Sequence, residues 1–253
     1  MEAKKKPLVS VVIPVHNAAA LVPGAVESAL AQDVDCQVLV IDDCSEDDLD
    51  GAMAPYRDDP RVLYLKNRER SGAAGSRNRG VAAAEGTYIA FLDADDRWRP
   101  GKLSLQLEAM ARTGAVLCAT ARQMMRPDGT LTDHTIRVPE RIGYRQLLRH
   151  NCINCSSVLI RRDVALEFPM GHEDSHEDYI MWLEVVRKYG YACAVDQPLL
   201  LYRMSDTGKS GGKLHSAKMT WKVYRYMGFG PVRSCLCFCS YALHGVWKHY
   251  LHK

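Results

Sequence analysis

Residues 88–103 read "YIAFLDADDRWRPGKL". An apolar run ends abruptly in Asp93, Asp95 and Asp96, with Arg97 and Arg99 directly behind. A short apolar run bounded by turn-forming residues is the pattern of a buried strand. Three carboxylates at its mouth repel one another, which raises their pKa values unless a cation is present. Asp93 and Asp95 are two apart, so on an extended segment they face the same way. Oxygen-only ligands in a small cluster suit magnesium or manganese, ions that keep waters and accept a substrate phosphate as a further ligand. The alternative is an acidic turn neutralised by Arg97, Arg99 or Arg77.

Outward from this stretch the pattern alternates. "LVSVVIPV" (8–15), "CQVLVID" (36–42), "RVLYL" (61–65) and "TYIAFL" (87–92) read as strands. Between them, 18–32 carries apolar residues at helical spacing, and the alanine-rich stretch up to Gly86 also reads as a helix, as does 102–113 after the last strand. Ser45, in the turn "DCSEDD", is expected to cap a helix. Strands alternating with helices imply right-handed crossovers and a mainly parallel sheet covered on both faces. Ligands of such sheets lie outside the carboxyl ends of the strands. His16-Asn17, Asp42-Asp43 and Asp93-Asp95-Asp96 should therefore share one rim. Beyond residue 115 the pattern becomes mixed. Two strands joined at Pro127-Asp128-Gly129, further strands in "CSSVLIRR" and "ACAVDQPLLLYRM", and a helix over 178–190 are expected.

The chain has 253 residues, 47% hydrophobic and 25% charged, enough for one large α/β domain with or without a tail. The amino-terminal stretch lacks the features of a secretory signal. The nine scattered cysteines are read as reduced thiols of a cytosolic chain, not as disulfides or zinc ligands. His172-Glu173-Asp174-Ser175-His176 matches the H-E-x-x-H of zinc proteases, but Pro169 and Gly171 stand just before it, which favours a loop.

Four stretches in order, "VSVVIPVHNAAALVPGAVESALAQ", "VLVIDDCSEDD", "GAAGSRNRGVAAAEGTYIAFLDADDRWRPGKL" and "HEDYIMWLEV", resemble the bacterial family 2 glycosyltransferases, with the GT-A fold. The resemblance spans roughly residues 8 to 205. It implies an inverting enzyme that moves one sugar from a nucleotide-diphosphate-sugar, a UDP-sugar in the commonest case, to a saccharide or lipid-linked acceptor. Pro14, Val15 and Asp43 would line the base. Asp93 and Asp95 would form the DxD pair, with Asp95 the direct ligand of a divalent cation (manganese or magnesium) and Asp93 nearer the ribose. Arg77 and Asn78 match the family's Arg-Asn pair, and Asp178 would be the catalytic base. A helix dipole at its N-terminus would favour the ionised form of Asp178. His16 departs from the usual aromatic, and the Gln-x-x-Arg-Trp motif of processive members is not found. Cell-surface polysaccharide or glycolipid assembly is the implied setting. A nucleotidyltransferase, disfavoured because "PVHNAAA" replaces its glycine-rich loop, and a non-catalytic sugar-binding membrane adaptor are the other readings.

A division follows from charge: a glycosyltransferase domain over 1–206 and a basic, aromatic helical tail over 207–253. After Asp206 the chain has eight basic residues and no acidic one, leaving −5 for the rest. The 14 uncharged residues "SCLCFCSYALHGVW" (234–247) fall short of the ~20 that span a bilayer. They suit a helix lying on an anionic membrane surface, peripheral on its inner face, or one packed on the protein. No nucleic-acid recognition motif accompanies the charge.

Overall fold

The computed structural model describes residues 7–204 and 213–251. The boundary expected at 206, together with Lys209, lies outside them. Four parallel strands form one half of the sheet: β1 (Val9–Val15), β2 (Cys36–Asp42), β3 (Val62–Lys66) and β4 (Tyr88–Phe91), in the order β3-β2-β1-β4. Their side chains alternate between two cores. Val11, Ile13, Val38 and Val40 face α1 (Val22–Leu30) and α4 (Lys102–Thr113). Val12, Leu39, Ile41 and Ile89 face the opposite side, with α3 (Gly72–Ala83) and α7 (Glu177–Tyr189). Burial on both faces is why these strands read as unbroken apolar runs. Helix α3 lies close to β1 because Gly80 has no side chain: a Cβ there would sit 2.3 Å from Val12 Cγ1.

The second half of the sheet is mixed, as expected. Strand β9 (Leu159–Arg161) runs antiparallel between β4 and β6 (Leu117–Met125), and β10 (Tyr191–Arg203) lies parallel to β6. Strand β7 (Leu131–Ile136) forms the hairpin with β6, while β5 (Arg97–Trp98) and β8 (Arg141–Gly143) pair with β10.

Several expectations are corrected. The first helix starts at Val22, with Pro23 in its first turn, where a missing N–H costs nothing. Ser45 caps nothing: its hydroxyl accepts from Asn17 N, and Asp48 caps α2 (Leu49–Met53) through Gly51 N. Cys155–Ser157 is a 3-10 turn, not a strand, because the Asn154 side chain accepts from Ser156 N. Cys152 and Cys155 form a C-x-x-C spacing, which the reading of the cysteines as scattered wrongly takes to be absent, yet all nine cysteines are free thiols.

Helices α5 (Tyr144–Arg149) and α6 (Arg162–Glu167) complete the body. Helices α8 (Lys213–Tyr226) and α9 (Pro231–Leu251) pack onto it. Val223, Tyr224, Met227 and Phe229 enter the core beside α7, and Cys237, Phe238 and Tyr241 lie against it. Outward-facing Val232 and Leu236 are 76% and 68% exposed. Among the described residues, no helix is long and apolar enough to cross a membrane.

Candidate active site

The carboxyl ends of β1, β2 and β4 open into a cavity of about 670 Å³. Pro14, Val15 and His16 line one side, Asp43 and the start of α3 another, and Asp93 with Asp95 the floor. The rim inferred from the alternating pattern is therefore one surface.

The acidic stretch is a turn, not an extended segment: Asp96 N donates to Asp93 O at 3.1 Å. The two-residue alternation does not apply, yet Asp93 and Asp95 still line the same cavity. Asp96 points inward and is buried, its Oδ1 accepting from Arg203 N at 2.8 Å. Burial, then the charges on Asp93 and Asp95, push its pKa well above the usual carboxylate range. Arg203 staples the turn further, donating Nε–H to Asp95 O and a guanidinium N–H to Pro127 O. One of the three carboxylates is thus structural, and two are presented to solvent.

Burial and the neighbouring Asp93 also raise the Asp95 pKa. Among the described residues no three His, Cys, Asp or Glu side chains converge on a metal-sized point. Two carboxylates beside a roomy cavity fit an ion that takes the rest of its ligands from water and a diphosphate.

Arg77, from α3, is buried and doubly engaged. It donates to Asp93 Oδ1 at 2.6 Å and to Glu177 Oε1 at 3.1 Å. Of the three arginines offered as neutralising partners, only Arg77 pairs with the cluster. Its two carboxylates leave it positioned as a brace between the acidic turn and α7. Asn78 holds the loop before α7, exchanging hydrogen bonds with Met170 O and N at 2.6 and 2.9 Å.

Asp43 Oδ1 accepts from Asn67 Nδ2, Ser71 N and Ser71 Oγ, while Oδ2 accepts only from Gly72 N. Burial works against ionisation, but the donors from Ser71, Asn67 and Gly72 prevail and hold the pKa below the usual range. Oδ2 retains room for another donor. His16 stands beside it, its Nδ1 3.0 Å from Asp43 O.

A second cavity, of about 260 Å³, shares Arg77, Asp93 and Glu177 with the first and continues to Asp178, Arg122 and Tyr241. Asp178 lies in the first turn of α7, half-buried, accepting from Tyr179 N at 2.7 Å. The helix dipole does not set its pKa. Burial, then repulsion from Glu177, push it up to about 6 against the pull of Arg77.

His-Glu-Asp occurs twice in succession, at 172–174 and at 176–178, and the two copies differ in their surroundings. Asp174 is exposed and tied to α8 through Lys222 Nζ at 2.6 Å and Tyr226 Oη at 3.0 Å. His172 stacks on Tyr226, and Glu173 accepts from Ala74 N. Residues 171–176 are a loop, so the two histidines share no helix face. Sequence reasoning missed Glu177, Glu173 and Arg122 as lining residues. Glu177 had a signal, its place beside Asp178; the other two had none.

The sequence model of the family "Glycosyl transferase family 2" matches residues 10–167. The chain belongs to this family. A putative teichuronic acid biosynthesis glycosyltransferase, TuaG of Bacillus subtilis (strain 168), is 34% identical over 246 residues, covering 96% of this chain and 98% of the relative. A UDP-Glc:alpha-D-GlcNAc-diphosphoundecaprenol beta-1,3-glucosyltransferase, WfaP of Escherichia coli, is 31% identical, covering 96% and 95%. The fold matches S. aureus TarS 1–349, crystallised with UDP-GlcNAc, at a TM-score of 0.72, 15% identity and coverage of 94% and 72%. It also matches the mannosyltransferase PcManGT from Pyrobaculum calidifontis, in complex with GDP-Man and Mn2+, at 0.69, 14% identity and coverage of 99% and 77%. The fold is GT-A, and the chain is a glycosyltransferase. The nucleotidyltransferase and adaptor readings are not favoured.

Proposed function

We propose that this glycosyltransferase moves one sugar from a nucleotide-diphosphate-sugar, with inversion, onto a lipid-linked saccharide in cell-surface polysaccharide or glycolipid assembly. The observation that carries the reading is the junction of two cavities at Asp93, Arg77 and Glu177, one ending at the acidic turn and the other holding Asp178. The first takes the donor. Pro14, Val15 and His16 flank the base, and Asp43 Oδ2 accepts an N–H from it. Asp95 and Asp93 would hold manganese or magnesium, which offsets charge on the departing diphosphate.

The second cavity takes the acceptor. Asp178 accepts the proton of the acceptor hydroxyl as that oxygen bonds the anomeric carbon and the carbon–diphosphate bond breaks. One carboxylate opposite the leaving group gives a single displacement. A pKa of about 6 leaves Asp178 ionised at neutral pH yet more basic than an ordinary aspartate. Arg77 and Glu177 contact no reacting atom; they fix the distance between turn and base. UDP-sugars are supported as donors by the UDP-Glc in the name of the Escherichia coli relative and by the UDP-GlcNAc complex of the fold neighbour.

Helices α8 and α9 bring the acceptor cavity to an anionic membrane surface. Val232 and Leu236 stand exposed with Cys235 and Cys239 on the outer face of α9, and the segment carries no acidic residue. Incubating the protein with a panel of sugar nucleotides and lipid-linked saccharides, with and without manganese, tests the whole reading. Metal-dependent transfer giving an inverted anomer supports it. Metal-independent transfer or a retained anomer contradicts it.

A further inference from the structure

Arg122 and Arg77 are the two arginines that line the acceptor cavity, and Arg99 and Arg203 lie outside its lining. Arg77 is held by two carboxylates, Arg99 by Gln123 and Arg203 by backbone carbonyls. Arg122 makes no hydrogen bond and no ion pair among the described residues, and its Nε is buried without a partner. It rises from β6, packs 5.7 Å from the Tyr202 ring, and lines the cavity that holds Asp178. A smaller cavity of about 150 Å³ adjoins on its other side, with Arg137 and His150 in its wall.

Arg122 is half-buried: its Nε is shut from water, while the rest of its fork opens on the cavity with no carboxylate bonded to it. A cation placed in this way takes its partner from a ligand. Two further donors line the same cavity. Asn151 and Asn154 use their Oδ1 atoms on Ile153 N and Ser156 N, and their Nδ2 groups have no acceptor among the described residues. A guanidinium fork plus two amides offers more donors than one carboxylate accepts, and suits the many oxygens of a diphosphate. The wall beyond is apolar on the helix side, where Met219 of α8 and Tyr241 of α9 close the cavity.

We propose that Arg122, with Asn151 and Asn154, binds the diphosphate that joins an acceptor sugar to its lipid, with the sugar toward Asp178 and the lipid toward α8 and α9. This rests on the reading of the second cavity as the acceptor site. It adds a specificity determinant: the enzyme reads the linkage as well as the sugar.

The test is binding of undecyl diphosphate to the full chain, by calorimetry in a chelator so that metal-assisted binding in the donor cavity is silent. Dodecanoate and UDP with manganese, the latter in buffer without chelator, serve as comparisons. Wild type should bind undecyl diphosphate at least tenfold more tightly than dodecanoate. Arg122→Gln should lose that preference, Arg122→Lys should keep part of it, and both should bind UDP with manganese as wild type does. Three outcomes overturn the proposal: no binding by wild type, equal affinity in Arg122→Gln, or dodecanoate bound as well as the diphosphate. A lowered Tm in Arg122→Gln with unchanged affinity would make Arg122 a structural counter-charge for the nearby Asp96 instead. Because the assay involves no sugar transfer, a protein that binds undecyl diphosphate through Arg122 but transfers no sugar would refute the catalytic reading and leave this one standing.

Discussion

At the scale of single residues, the three aspartates that open the problem divide by depth. Asp96 is buried and bonded to the Arg203 backbone, while Asp93 and Asp95 line the larger cavity, proposed to take the donor. Asp95→Ala should remove metal-dependent UDP binding at unchanged Tm; calorimetry showing wild-type affinity in the variant would exclude Asp95 as a ligand. Asp178 carries a different signature, a pKa raised to about 6 by burial and Glu177. A base works only deprotonated, so transfer should be level above about pH 7 and fall roughly tenfold per unit below about 6. A rate that stays flat to pH 4.5 would assign the proton to another group.

At the scale of elements, two contacts decide where helices sit. Gly80 lets α3 approach β1, and the Cβ of Gly80→Ala would press on Val12. Overpacking of this kind costs ~1–3 kcal/mol, to be read from denaturant unfolding; an unchanged midpoint would mean that α3 shifts freely. Lys102, at the start of α4, is buried over the Trp98 ring and donates to Gln106 Oε1 at 2.8 Å. Burial lowers its pKa to about 7. Between that value and the unfolded value of ~10.5 the unfolded chain holds a proton that the folded chain lacks. Stability from this group therefore rises with pH above about 7, by at most ~1.4 kcal/mol per unit, and is flat below. Lys102→Met should flatten that rise relative to wild type; parallel curves would show that Lys102 stays charged in the fold.

At the scale of the whole molecule, α8 and α9 are both wall and surface. They share the core through Tyr224 and Phe229 and wall the cavity that holds Asp178, proposed to take the acceptor, through Met219 and Tyr241. Deleting residues 231–253 should lower Tm and impair transfer, not merely release the protein from lipid. Val232→Asp with Leu236→Asp is the cleaner probe: sedimentation with anionic vesicles should drop while binding of UDP with manganese persists. Equal sedimentation of variant and wild type would remove the membrane role of this face. Much of the fold was legible because its signals are local. The runs at 9–15 and 36–42 are buried on both faces, and Gly101 and Gly114, both left-handed, bracket α4. Strands β5 and β8, two and three residues long, were not legible, since only β10 gives them a partner. The site divides likewise. The acidic turn and Asp178 stand out in sequence, whereas the Arg77–Glu177 brace joins residues 100 apart and the unpartnered state of Arg122 exists only once the cavity closes.

The central claim is that Asp178 takes the acceptor proton at the junction of the two cavities. It is tested most directly by single-turnover transfer in Asp178→Asn, with Asp174→Asn as the control for the duplicated motif. Asp178→Asn should transfer ~100- to 10,000-fold more slowly than wild type, with donor and metal affinity unchanged, and Asp174→Asn should keep most of its activity. A dead Asp174→Asn beside an active Asp178→Asn would contradict the account, as would wild-type rates in both.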